Sequence, residues 1–84
     1  MDITEFRQLA FLKKFIILCD QGKYLARFES KTQLANLFQL QGFFVEVYYN
    51  KKNDDILYIH PFEEEKHLDK YLDQIDIEDL HISA

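Results

Sequence analysis

The sequence predicts an α+β domain: an N-terminal helix, a four-stranded antiparallel β-meander, and a C-terminal helix, with both helices on one sheet face. Three observations carry this. The stretch Gly42-Phe43-Phe44-Val45-Glu46-Val47-Tyr48-Tyr49-Asn50 holds aromatic and β-branched residues almost without interruption, a composition suited to a pleated, buried surface. The segments on either side of it alternate in register with it. Apolar residues at helical spacing precede and follow this block, from Ile3 to Gln21 and from Phe62 to Ile75, as packed helices require.

The first element is a helix over 3–21. Asp2 and Glu5 have capping-box spacing, and Gly22 suits the C-terminal stop. Phe6, Leu9, Ala10, Lys13, Ile16 and Ile17 share one side of this helix. Phe11, Phe15 and Leu18 lie on another, with Leu12 and Cys19 between. This surface is wider than the ~100° stripe of an ordinary surface helix. Such a helix is either covered on two sides within the monomer or meets another chain.

Strands are expected near 23–29, 33–41, 43–50 and 55–60. The segment Lys31 to Gln41 also reads as a helix, with Ser30 as N-cap and Gly42 as stop. Register favours the strand. A two-residue turn at Gln41-Gly42 sets Leu40 opposite Phe43, Phe38 opposite Val45, Asn36 opposite Val47 and Leu34 opposite Tyr49. That face is nearly all apolar, and such agreement fixes a hairpin. On the first strand, Tyr24, Ala26 and Phe28 extend the same face. A three- or five-residue loop after Asn50 adds Leu57 and Ile59 to it, whereas a four-residue loop brings Ile56, Tyr58 and His60. Pro61 ends the last strand. A helix over 62–75 then carries Phe62, Leu68, Tyr71, Leu72 and Ile75 on one stripe, with Glu63, Glu64 and Glu65 in its first turn, where the helix dipole favours anions. An acidic tail, 76–84, follows, with Leu80 able to dock.

The segment from Gly22 to Leu80 resembles a family of short bacterial proteins of uncharacterised function. The carrying residues are Gly42-Phe43-Phe44-Val45-Glu46-Val47-Tyr48-Tyr49, then Ile56, Ile59, Leu68, Tyr71, Leu72, Ile75, Ile77 and Leu80. The resemblance implies no activity and supplies no catalytic residues.

The bulk numbers exclude several roles. Eighty-four residues make one domain, 1–84. With 48% hydrophobic and 15% aromatic residues, the chain has too much apolar material for disorder. A net charge of −5 argues against nucleic acid and anionic membrane surfaces, which call for clustered Lys and Arg. The apolar run Ala10 to Cys19 is far short of the ~20 residues that span a bilayer. The N-terminus lacks the positive region of a secretory signal. A single cysteine, Cys19, excludes an intrachain disulfide and reads as a small buried hydrophobe. Together these point to a cytoplasmic protein.

Catalysis and cofactor binding find little support. His60, Glu63, Glu64 and His67 offer zinc-ligand chemistry. However, Pro61 separates a strand residue from a helix start, and no third fixed ligand is evident. Asp73, Asp76, Glu78 and Asp79 lack the pattern of a calcium loop. Ser30 and Ser83 lie in no nucleophile motif. No enzyme activity, cofactor or metal is expected.

The informative constellation is the second sheet face, where aromatics interleave with single charges as they do at interfaces. Phe44, Glu46, Tyr48, Tyr58, His60, Leu37 and Arg27 are the candidate interface residues there, and Phe15 is the candidate on the helix. The expected function is an acidic protein-interaction module that forms a homodimer or takes a protein partner. The alternatives are an acidic inhibitor or antitoxin-like protein using residues 63–65 and 73–79 against a basic partner, and a metal-dependent enzyme using His60 and Glu63.

Overall fold

A computed structural model describes residues 1–75. Two short helices, α1 (Ile3–Gln8) and α2 (Phe11–Gln21), lead into strands β1 (Lys23–Glu29), β2 (Gln33–Leu40), β3 (Phe43–Asn50) and β4 (Ile56–Phe62). A 3₁₀ segment, Glu65–Tyr71, comes last. The strands form one antiparallel sheet in the order β1-β2-β3-β4. The α+β class and the four-stranded meander are as the sequence predicts. The acidic tail 76–84, with the proposed docking of Leu80, lies outside the described residues.

The β2–β3 hairpin has the predicted register throughout, from Leu40 opposite Phe43 to Leu34 opposite Tyr49. The helical alternative for 31–41 therefore falls. Gly42 takes φ +92° at the second turn position, a conformation that favours glycine.

The N-terminal cap is also as expected. The Glu5 backbone N–H donates to Asp2 Oδ1 at 2.8 Å, and the Asp2 N–H donates to Glu5 Oε1 at 3.3 Å. The single helix over 3–21 is not. Leu9 (φ −70°, ψ 149°) and Ala10 (φ −62°, ψ 152°) are extended and separate α1 from α2. No glycine or proline forces this break; packing does. A straight rod meets a twisted sheet over only part of its length. The break lets Ile3 and Phe6 of α1 and Leu18 of α2 all enter one layer with Leu40, Phe43, Val45 and Val47. Gly22 then ends α2, its N–H bonded to the Leu18 carbonyl at 3.0 Å.

Two register shifts redraw the faces. Between Tyr24 and Ala26 the pairing moves from Tyr24–Phe38 to Ala26–Leu37. Ala26 and Phe28 therefore leave the helix-covered face predicted for them. Arg27, opposite Asn36, and Glu29, opposite Leu34, move onto it. A second shift, between Tyr48 and Tyr49, sets Tyr58 opposite Tyr48 and Ile56 opposite Tyr49. The loop has the five residues Lys51 to Asp55. Ile59 joins the helix-covered layer as that length predicts, but Ile56 joins it in place of Leu57.

The two helical covers lie on opposite faces, which corrects the expectation of one. A second apolar layer of Ala26, Leu37, Phe44, Phe62, Leu68 and Tyr71 forms on the other side of the sheet. It exists because β4 continues through Pro61 to Phe62. Pro61 is tolerated because β4 is an edge strand and owes no N–H to an outer neighbour. Phe62 thus stacks on Phe44 with ring centroids 5.6 Å apart, and does not begin a helix. The predicted helix 62–75 is replaced by the 3₁₀ segment. Its buried residues are Leu68 and Tyr71, three apart and eclipsed as in a 3₁₀ turn. Leu72, predicted on the buried stripe, is 48% exposed.

Candidate functional site

Two features stand out as candidate sites: a buried carboxylate cluster on the second face and an uncovered side of α2. The cluster centres on Glu46, placed by strand alternation between Phe44 and Tyr48 and only 1% exposed. Four side chains converge on it. His60, its cross-strand neighbour on β4, donates Nδ1–H to Oε1 at 2.9 Å. Tyr48, two residues along the same face, donates its hydroxyl to Oε2 at 2.9 Å. From the 3₁₀ segment, Tyr71 donates to Oε2 at 2.7 Å and the Lys70 ammonium approaches Oε2 at 2.7 Å. Lys70 also donates to the Tyr48 hydroxyl and lies 5.0 Å from the centre of the Tyr48 ring.

The electrostatics close on themselves. Burial pushes the Glu46 carboxyl upward, but hydrogen bonds from Lys70, His60, Tyr71 and Tyr48 outweigh it and hold the group below its ordinary value of 4.5. Burial works against the Lys70 ammonium, and its bonds to Glu46 and Tyr48 reverse this and raise it above 10.5. Burial first, and then the hydrogen bond each donates to Glu46, push Tyr71 and Tyr48 above the ordinary tyrosine value of 10.0, with the Lys70 bond opposing the rise at Tyr48. Among the described residues no buried side-chain polar atom lacks a partner. The cluster therefore holds a charge in place: His60, Tyr48, Tyr71 and Lys70 each turn a donor to the carboxylate, and Lys70 turns a further one to the Tyr48 hydroxyl.

The predicted interface residues divide accordingly. Phe44 and Leu37 are each 0% exposed, so they belong to the second core and not to an outward surface. Glu46 is buried with them. Their alternation was read correctly, but the 3₁₀ segment that covers them was expected on the other face. Tyr48, Tyr58 and His60 line the rim of the cluster: the Tyr48 and Tyr58 rings stack 4.4 Å apart, and His60 stacks on Phe62 at 5.4 Å. Arg27 is exposed on the opposite face, where the bulge in β1 puts it, and pairs with Glu29 at 3.1 Å. Lys51 also pairs with Glu29. Beside them a shallow depression of about 400 Å³ is lined by Leu34, Asn36, Tyr49 and Asp54 as well, but its two cations are committed to Glu29.

Sequence reasoning missed Lys70 as the partner of Glu46. The available signal was a lone carboxylate in an otherwise apolar strand, which requires a cation nearby. Glu64, proposed with His67 as a metal ligand, pairs with it at 3.2 Å, and the His67 ring meets His60 edge-on at 5.2 Å. Among the described residues, no group of three or more His, Cys, Asp or Glu side chains is arranged to hold a metal ion.

The second feature is α2. Ile17 and Leu18 face the sheet layer. Phe11 is 52%, Leu12 65% and Ile16 54% exposed, while Phe15 is half-buried beside them. Cys19 is exposed, contrary to its reading as a buried hydrophobe, because it follows Leu18 around the helix away from the sheet. No described helix is long and apolar enough to cross a membrane. Compared with protein-family models, curated proteins and solved structures, the chain has no match.

Proposed function

We propose that this chain is a non-catalytic protein-interaction module that self-associates through α2. The observation that carries this reading is the exposure of Phe11, Leu12 and Ile16, three large apolar side chains on one short helix, each more than half open to water. Contiguous apolar surface of this kind marks association sites in soluble proteins. A non-catalytic role is favoured because the buried titratable cluster around Glu46 spends its donors on itself. Light scattering across a concentration series tests the reading. Wild-type protein should pass from monomer to dimer as concentration rises, and Leu12→Asp should stay monomeric. A strict wild-type monomer at high micromolar concentration overturns it.

A further inference from the structure

We infer that the partner of α2 is α2 of a second copy, packed antiparallel about a two-fold axis between Phe15 and Ile16. This rests on the self-association reading and adds its geometry. At 3.6 residues per turn, Leu12, Ile16 and Cys19 run along the middle of the exposed stripe. Phe11 and Phe15 flank it on one side. Lys13 and Asp20 flank it on the other, both exposed and neither in an ion pair among the described residues.

That charged edge is self-complementary in one direction only. Across a two-fold axis each edge faces its own copy, and residue heights invert. At a rise of ~1.5 Å per residue, Lys13 then comes within ~3 Å along the axis of Asp20 of the second copy, and the reverse pair forms by symmetry. A parallel pair leaves the same two charges ~10.5 Å apart along the axis. The antiparallel pair also sets Leu12 against Cys19 of the second copy and brings the two Ile16 side chains together. One short helix face covers less than the ~800 Å² per partner of a standard interface, so the dimer dissociates on dilution.

Cross-linking and charge reversal test the geometry. In a Cys19→Ser background, Ile16→Cys should give an interchain disulfide under mild oxidation, while native Cys19, held ~10.5 Å along the axis from its copy, should give none. Lys13→Glu and Asp20→Lys should each weaken the dimer roughly fivefold, on the scale of exposed ion pairs, and the double reversal should restore wild-type affinity. Efficient Cys19 cross-linking with none at Ile16→Cys overturns the antiparallel pairing while leaving self-association intact. A double reversal no tighter than the single variants also overturns the pairing. A strict monomer by light scattering removes both the pairing and the reading beneath it.

Discussion

Tyr71 of the 3₁₀ segment donates its hydroxyl to Glu46 of β3 at 2.7 Å, with both residues essentially inaccessible to water. This bond ties the chain's last described element to the middle of the sheet. Tyr71→Phe keeps the ring in its apolar layer and deletes one bond to a charged group, a loss of about 1.5–3 kcal/mol. Glu46→Leu strands the Tyr71 hydroxyl and the Lys70 ammonium, and the loss should reach about 3–5 kcal/mol, as for breaking a buried pair. Chemical denaturation of the two variants should rank them in that order.

The same cluster sets the pH dependence. The folded carboxyl of Glu46 lies below 4.5, so its stabilisation is complete above the unfolded value and is lost as pH falls through the folded one. Lys70 lies above 10.5 in the folded state, so its contribution is complete below that value and fades as pH rises through the folded one. Tyr48 and Tyr71, both raised above 10.0, likewise favour the folded state less as pH climbs past the unfolded value. Melting temperature followed from pH 2 to 12 should fall at both ends, and Glu46→Gln should flatten the acid limb.

The two glycines fail differently. A Cβ on Gly22 would lie 2.6 Å from the Leu18 carbonyl oxygen, and relieving that clash should cost Gly22→Ala about 1–3 kcal/mol. Gly42 has open space around it but sits at φ +92°, so Gly42→Ala pays about 1–2 kcal/mol of backbone strain alone. Gly42→Asn should recover part of that loss, because asparagine tolerates the left-handed region better. Gly22→Asn should recover nothing. Thermal unfolding of the four variants checks the contrast.

The aromatic ladder on the second face separates core from rim. Phe44 is fully buried and Tyr58 is 48% exposed. Phe44→Ala should lose about 3–5 kcal/mol. Tyr58→Ala, which removes the stack on Tyr48, should lose about 0.5–1.5 kcal/mol. Equal losses in denaturation would contradict the burial of Phe44 beneath the 3₁₀ segment.

The hairpin was legible in the sequence because strand alternation and a two-residue turn constrain each other locally. Phe43, Val45, Val47 and Tyr49 could be assigned to one face from their neighbours alone. The two bulges were not legible: nothing in Tyr24-Leu25-Ala26 or Ile56-Leu57-Tyr58 marks an extra residue, and only packing on both faces selects it. The break at Leu9-Ala10 has the same origin, since neither residue opposes a helix. Pro61 misled in the opposite direction. It reads as a strand terminator until β4 is known to be an edge, and from that error followed the misplacement of Phe62 and of the whole C-terminal cover. The Glu46 cluster was half legible, with the carboxylate, Tyr48 and His60 placed on one face but its cation, Lys70, unseen.

Because each β3 residue serves the layer opposite to that of its neighbours, Glu46 also guards strand alignment. Sliding β3 by one position would carry its carboxylate into the layer under α1 and α2, beside Phe6, Leu18 and Leu40, and away from the Lys70, Tyr71 and His60 donors that hold it. An unpaired charge there costs several kcal/mol, whereas a valine at the same position would tolerate either face. The one charged residue inside the most apolar strand thus acts as an alignment key, making the mispaired sheet far less stable than the native one.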